Sequence, residues 1–313
     1  MKVRGAALLM ALVVAAIAMV IVSGLFWRQF VLVRTIENQQ LMSQSRLLLR
    51  GALDWASSIL REDAVQSPYT AFTGSWAQPL ADTRLDQLGE SSALASQATM
   101  SGSIEDAQSR FNLHNLANSD GSPNVSEHDV LKRLASELSL PEPTANLISD
   151  YVRQTVLPYI VPGGPPAAAP PTQPLPLVFP EDVARIPGMD PAVAPRLAPY
   201  VVILDGRTPV NFNTASAEVI AAVVDGLSLS NARGMVADRD RIPFLNTGDV
   251  SNRLSKWGRF SLPTNDVSTT SAYFFVRGEI KLQRADTRME ALVKRALPGT
   301  PGPAPFPLWE REL

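Results

Sequence analysis

A run of 22 residues without a charge, from Ala6 to Trp27, constrains this chain more than any other feature of its sequence. An α-helix rises 1.5 Å per residue and about 20 apolar residues cross the hydrocarbon core of a bilayer, so the run can span a membrane. Lys2 and Arg4 precede it, and the positive-inside tendency therefore predicts a cytoplasmic N-terminus. We expect everything after Trp27 to lie outside the cytoplasm, because long domains are translocated largely regardless of charge.

The pattern that follows this run continues the helix. Apolar residues recur at spacings of three and four over residues 28–62, which is typical of a helix that buries one face. The clearest positions are Leu49, Leu53, Ala56 and Leu60. A cleaved secretory signal peptide has a shorter apolar core and a small-residue cut site, for which Ser23-Gly24-Leu25 is a poor match. A plain signal anchor and a helix processed at Arg4-Gly5, before the apolar run, remain as two interpretations.

Composition excludes several classes of function. The net charge of −2 provides no basic field to recruit nucleic acid, and the absence of cysteine excludes disulfides, thiol nucleophiles and cysteine-ligated metals. The two histidines, His114 and His128, belong to neither a His-x-x-x-His nor a Gly-x-Ser-x-Gly motif. The alternating charges of Asp238–Arg241 are typical of a solvated helix face rather than of an acid–base pair. Nothing in the sequence indicates an enzyme.

The two ends of the remaining chain predict strands. Alternating apolar residues over Ala272–Leu282, and a second run over Met289–Leu297, predict a hairpin with a polar connection. One or two further strands are expected within Met100–Leu113. In the loop before them, Trp76 is followed by Pro79, and we expect the indole to fill the seam between helix and sheet.

The middle of the chain predicts a cluster of short helices. Two similar steps, Arg110–Leu116 and Pro209–Ala215, each lead towards a helix, and their asparagines favour turn chemistry over ligand binding. A helix over Ser126–Leu138 follows the first step, with Ser126 as its predicted cap and Asp129 as the acidic partner. Further short helices are predicted at Pro180–Ile186, Pro191–Pro199, Ser216–Val224, Leu229–Asp238 and Thr247–Leu254.

A proline-rich spacer, residues 161–180, precedes most of these helices. Gly188 and Gly226 lie in turns like those of helix-hairpin-helix units, which in nucleic-acid proteins present backbone N–H groups to phosphate. Little basic charge surrounds either turn, so we expect no nucleic acid to bind. Binding of DNA or of a surface through these helices is the alternative function.

Taken in order along the chain, these segments resemble the type II secretion system minor pseudopilin K family (GspK-like, general secretion pathway protein K). The resemblance rests on the leader Lys2–Gly5 before Ala6–Leu9, the helix end Leu49–Ala56, the loop Trp76–Leu80, and two signatures at Gly102–Leu116 and Val210–Val219. The signature residues are Trp76, Pro79, Asn112, His114, Asn211 and Asn213. His114 departs from the family, in which asparagine is more usual at that position.

The resemblance implies an α+β fold: a pilin-like long N-terminal helix packed on a small antiparallel sheet, with a large inserted helical domain of the helix-hairpin-helix or SAM-like kind. It implies that a prepilin peptidase cuts between Gly5 and Ala6 and that Ala6 then becomes N-methylated. The expected parts are a leader (1–5), a transmembrane part (6–27) and a periplasmic part (28–62) of the helix, a pseudopilin α/β domain (63–110 and 266–313) and the inserted domain (111–265).

The function implied by the resemblance is structural. The chain would be a non-enzymatic minor pseudopilin in the inner membrane, with its globular part in the periplasm, at the tip of the type II secretion pseudopilus. There it would nucleate or cap the filament for protein export across the outer membrane. Expected partners are minor pseudopilins I and J, then H, the major pseudopilin G and secreted cargo. The family is associated with calcium, for which this sequence allows no ligands to be assigned.

Met10 adds a physical argument for the tip. Most pilins carry glutamate at the fifth mature position, which is Met10 here. A carboxylate inside the bilayer costs about 2.5–3.5 kcal/mol on insertion scales, and pairing with the N-terminal amine of the subunit above offsets that cost. A tip subunit has no subunit above it, so methionine at this position fits a tip. An anchor unrelated to pilins would also carry an apolar residue there.

Overall fold

The protein begins with one continuous helix, α1, over Val3–Gln66. The computed structural model describes residues 3–88, 95–156 and 174–313, so most of the proline-rich segment lies outside the described residues. No proline occurs before Pro68, which allows the helix to continue past residue 62, where the sequence analysis ends it.

Nine strands follow α1 in the described parts of the chain. They are β1 (Leu80–Arg84), β2 (Ala98–Asp106), β3 (Phe111–Asn112), β4 (Val201–Val202), β5 (Val210–Asn211), β6 (Val267–Ser268), β7 (Tyr273–Leu282), β8 (Ala285–Lys294) and β9 (Phe306–Glu312). Five of them form an antiparallel sheet in the order β1-β2-β7-β8-β9. The other four form two short parallel pairs, β3 with β4 and β5 with β6.

The predicted hairpin is β7–β8, but its boundaries differ from the prediction. β8 begins at Ala285 rather than Met289, and it ends at Lys294 rather than Leu297. Of the residues assigned to the connection, 285–288 belong to the strand, where Arg288 lies directly opposite Glu279 and pairs with it at 3.3 Å. Gln283 and Arg284 alone form the turn. The edge strands β1 and β9 were not predicted, because β1 has only five residues and β9 contains Pro307, which argues against a strand anywhere but at a sheet edge.

The sheet covers one face of the second half of α1. The buried apolar side chains of the helix are those of the predicted stripe, Leu49, Leu53, Ala56 and Leu60, together with Leu41. They pack against apolar residues of β7 and β8, and each fully buried large side chain contributes about 1.5–3 kcal/mol. Trp76 is buried in the same seam, with its ring 5.3 Å from that of Phe274.

The α+β fold is confirmed, with a helical part inserted between β2 and β7. Its helices are α2 (Val125–Glu137), α3 (Thr144–Thr155), α4 (Val193–Leu197), α5 (Ala217–Val223), α6 (Leu229–Arg241) and α7 (Thr247–Leu254), with a 3-10 turn at Pro180–Arg185. These elements share a hydrophobic core separate from the one between α1 and the sheet. We name this part the helical domain.

The helical domain differs from the prediction in one helix and in one cap. α3 was not predicted at all. The cap of α2 is Asn124 rather than Ser126: Asn124 Oδ1 accepts the N–H of Glu127, and the Ser126 hydroxyl donates to that same oxygen at 2.9 Å. Asparagine is as good an N-cap as serine, and Asn124 lies two residues before the predicted cap.

Candidate functional site: the exposed helix and the polar junction

The first half of α1 has no partner within the described chain. Every side chain described from Leu8 to Gln40 is at least partly exposed, and Leu41 is the first buried one. The helix is long and apolar enough to cross a membrane, with a mean hydropathy of 2.8 over its best window. Met10 lies on this bare segment and is 74% exposed. Gly5 and Ala6 belong to the first turns of the helix, and cleavage between them stays a prediction.

Arg284, at the tip of the β7–β8 hairpin, marks where α1 leaves the globular part. Its guanidinium donates to Asn38 Oδ1 at 2.7 Å and to Glu37 Oε2 at 2.9 Å. The bare half of the helix therefore begins at one end of the sheet, and the helical domain lies at the other.

The first asparagine step, residues 111–115, joins two segments of the helical domain to each other. Asn112 Oδ1 accepts the N–H groups of His114 and Leu204, and its amide donates to Gly206 O at 2.9 Å. Asn115 binds both backbone groups of Thr208, at 3.1 and 2.9 Å. The His114 ring completes the step, with Nδ1 2.6 Å from the carbonyl oxygen of Leu204.

The second asparagine step, residues 210–214, holds the helical domain to the rest of the protein. Asn211 Oδ1 accepts the N–H of Asn213. Its amide donates to Thr70 O, Asp106 Oδ2 and Ser271 Oγ, at 3.1, 2.9 and 2.9 Å. Asn213 binds both backbone groups of Phe244, as Asn115 binds Thr208. In both steps the asparagines make structural hydrogen bonds, and each first asparagine is the last residue of a two-residue strand in a parallel pair.

Asp106 is the centre of a buried polar junction, formed by Asp63, Thr70, Asp106, Asn211, Thr214, Ser271 and Arg295. Asp106 Oδ2 accepts the hydroxyls of Thr214 and Ser271, each at 2.6 Å, and Oδ1 accepts the N–H of Gln108. Burial raises the pKa of Asp106, although these donors act in the opposite direction.

Arg295 ties the end of α1 into this junction. Its guanidinium donates to Asp63 Oδ2 at 2.7 Å, to Leu60 O at 2.8 Å and to Thr70 Oγ1 at 2.9 Å. It also stacks on the ring of Phe274, 4.4 Å from the centroid. Burial lowers the pKa of Arg295, and Asp63 opposes that effect. The sequence analysis did not identify Asp63, Asp106 or Arg295. A single charged residue among apolar ones is normally read as exposed, and it can be assigned to the interior only when its partner is known. The partner of Asp63 is 232 residues away.

Arg239 also differs from the prediction. It lies in the charge run assigned to a solvated face, yet it is only 5% exposed. Its guanidinium donates to the carbonyl oxygen of Phe212, inside the second asparagine step. A helix of this amphipathic type can bury one arginine of such a run while its neighbours stay in water, because the long side chain reaches a backbone acceptor.

The described residues contain no arrangement for nucleophilic catalysis. The Ser271 and Thr214 hydroxyls donate to Asp106, and His128 contacts Asn146 rather than a hydroxyl. No three acidic or histidine side chains gather as metal ligands within the described ranges. The best pair, Glu127 and Asp266, has the Arg207 guanidinium between its carboxyl groups, so it does not fit a calcium site.

Comparison with known proteins gives consistent results. Two family models described as "Type II secretion system (T2SS), protein K" match residues 109–206 and 210–269, together about half of the chain. A type II secretion system protein K from Pseudomonas aeruginosa is 28% identical over 299 residues, covering 89% of this chain and 85% of the relative. The matched region includes both asparagine steps.

A solved structure shares the fold. It is described as the GspK-GspI-GspJ complex from the type 2 secretion system of enterotoxigenic Escherichia coli. The matched chain has a TM-score of 0.66 at 21% identity, covering 88% of this chain and 98% of the solved one. With the bare helix, the sheet, the inserted helical domain and the matched models all in agreement, the chain belongs to the type II secretion system protein K family, the minor pseudopilins.

Proposed function

We propose that this minor pseudopilin stands at the tip of the pseudopilus, without catalytic activity, and that it binds the I- and J-type minor pseudopilins there. One observation carries the proposal: the helical domain is joined to α1 at the end opposite the bare segment. The junction contacts run from Asp63 and Thr70 to Asn211 of the second asparagine step.

This arrangement supports a terminal position. Pilin-type helices lie along the filament with their apolar N-terminal halves inside it, so the bare half of α1 points towards the membrane and the base. The helical domain then occupies the opposite end, where the subunit above would sit in the body of a filament. If the filament grows by adding subunits at its base, a subunit that blocks the position above it can only be the first one incorporated.

The membrane topology follows the same orientation. Residues 6–27 cross the inner membrane with the N-terminus in the cytoplasm, and the prepilin peptidase cuts after Gly5. Met10 supports the tip position, because an uncharged side chain needs no partner from a subunit above. N-terminal sequencing of membrane-extracted protein is expected to begin at methylated Ala6, whereas an intact Met1 would exclude the processing.

Labelling tests the position directly. Pseudopili assembled with an epitope-tagged form of this chain are labelled with gold particles and viewed by electron microscopy. We expect particles at one end of each filament. Particles distributed along the shaft would exclude the tip. Co-purification of the full chain with I- and J-type pseudopilins tests the partners, and the absence of both from the purified material would exclude that part.

A further inference from the structure

The second half of α1 carries an apolar surface that the described parts of the chain leave uncovered. Leu47 is 70% exposed and Trp55 is 46% exposed, although the same helical turns bury Leu49, Leu53 and Ala56 on the sheet. A groove of about 280 Å³ adjoins this surface. Its walls include Ala52, Trp55 and Ile59 of α1 and Pro79 and Leu80 of the following loop.

Gly51 lies between these two exposed residues, one turn from each. Glycine within a helix is less stable than alanine by about 1 kcal/mol, so a mid-helix glycine calls for a reason. Packing against the rest of the described chain gives none, since a Cβ at Gly51 would meet nothing within 4 Å beyond its chain neighbours and the backbone of its own helix. The remaining reason is contact with another protein. Because glycine has no side chain, the backbone of a second helix can come close to α1 at this point, as in helix pairs that meet at small residues.

We infer that Gly51, with Leu47 and Trp55 on either side, is the point where the α1 helix of a neighbouring minor pseudopilin crosses this chain. We name these three residues the crossing surface. The inference rests on the proposed function and adds to it the surface that the partner uses. Trp55 packs over the partner helix, and the groove beside it accepts an apolar side chain from that helix.

Position along the helix favours another helix from the same membrane over other occupants. Trp55 is roughly 40 Å above Trp27 by the helical rise, which is beyond the reach of lipid. Val33 and Ile36, both exposed, lie within the same arc of about 100° as the crossing surface. Exposed apolar residues thus recur on this side of α1 from the membrane-proximal part up to the groove, with Gln40 and Gln44 between them. A helix that rises beside α1 from the same bilayer can cover this side along its whole length.

Ridge-and-groove geometry supports a helical occupant as well. Packed helices normally lie 8–10 Å apart, and small residues at the crossing permit the shorter distances. Leu47 and Trp55 are separated by eight residues, roughly 12 Å along the axis, which matches the width of one crossing helix.

Substitutions at Gly51 give effects of opposite sign on the isolated chain and on the complex. In Gly51→Ala, the unfolding midpoint is expected to rise by roughly 2 °C, because alanine is the better helix former. Gly51→Trp, which fills the crossing point, is expected to lower the yield of I- or J-type pseudopilin co-purified with the full chain by about tenfold. The matched control is Met42→Trp, which places the same bulk on the opposite side of α1, where Met42 is 51% exposed.

The absence of cysteine allows a second measurement that does not depend on stability. A single cysteine at Gly51 in the full chain, coupled to a short photoreactive thiol reagent in membranes that hold the partners, is expected to crosslink to an I- or J-type chain. A cysteine at Met42 is expected to give no such product. A product of twice the mass of this chain would assign the surface to a second copy instead.

The outcomes separate this inference from the proposed function. If the wild-type chain fails to co-purify with either partner, the proposed function fails. If the wild-type chain co-purifies and Gly51→Trp does so equally well, with no crosslink from position 51, only the crossing surface is refuted.

Discussion

The two asparagine steps are built alike and serve different parts of the molecule. In each, the asparagine that ends a two-residue parallel strand accepts the N–H of the residue two positions later. This asparagine is Asn112 in the first step and Asn211 in the second. The first step bonds only to segments of the helical domain, at Leu204, Gly206 and Thr208. The second bonds to the loop after α1 and to both ends of the insertion. One local motif therefore both closes the inserted domain and joins it to the pilin-like part.

Each step also contacts a buried carboxyl group, and the two carboxyls differ in their surroundings. Asp106, at the second step, accepts hydrogen bonds from an amide, two hydroxyls and an N–H. Glu127, at the first step, receives the Asn115 amide at 3.3 Å and shares Arg207 with Asp266. Burial and the nearby Asp266 raise the pKa of Glu127 to about 8. The carboxyl at the joint thus accepts hydrogen bonds from neutral donors, whereas the carboxyl at the first step shares an arginine with a second carboxyl and loses its proton only as the pH rises through about 8.

The largest effect is expected from removing the carboxyl at the joint. Asp106→Ala removes the acceptor of the buried Ser271 hydroxyl and one acceptor each from Asn211 and Thr214, and a buried group left without its bond costs about 1–3 kcal/mol. We expect the free energy of unfolding to fall by roughly 3–5 kcal/mol, measured by denaturant titration. Asp106→Asn, which keeps the volume and one acceptor, serves as the control and is expected to lose less. Equal losses in the two variants would show that packing, not hydrogen bonding, holds the joint.

A matched pair of substitutions then separates the two steps. Asn112→Ala and Asn211→Ala each delete one amide, at a cost of about 2–3 kcal/mol, because several buried partners lose their bond. Hydrogen exchange is expected to increase around Leu204 and Thr208 in the first variant. In the second it is expected to increase around Thr70 and Ser271, at the joint. The same exchange pattern in both variants would mean that the steps are one cooperative unit.

How much of this was predictable differs between local and long-range features. The stripe of α1, the hairpin and the turn role of the asparagines follow from periodicity and local backbone chemistry, so the sequence predicted them. The partners of Asn211 did not follow, because Thr70 and Asp106 are 141 and 105 residues away from it. The helix α3 was missed as well. Pairings over such separations depend on the complete fold, which a single sequence does not encode by spacing.

The third effect is a pH dependence contributed by Glu127 of the first step. The folded-state pKa of Glu127 is about 8 and its ordinary value is 4.5, so between these values the folded protein keeps a proton that the unfolded chain has lost. The stability that Glu127 contributes is therefore fully present below about pH 4.5, falls as the pH rises towards 8, and does not change further above that. Glu127→Gln, which imitates the protonated form, is expected to remove most of this fall in thermal unfolding scans at pH 5, 6.5 and 8. A wild-type chain whose stability is flat over that range would contradict the assignment.

The smallest effect is expected at His114, where the first step departs from the family pattern. The imidazole contacts only the Leu204 carbonyl among the described residues, while Asn112 and Asn115 make the bonds that close the step. His114→Asn keeps a donor on a shorter side chain, so we expect a change in unfolding free energy below about 1 kcal/mol, of either sign. Denaturant titration of the variant beside Asn112→Ala measures the difference. If His114→Asn lowered the free energy of unfolding as much as Asn112→Ala does, the histidine ring would contribute as much to the first step as the asparagine. The two steps would then not be alike, because the second has no such ring.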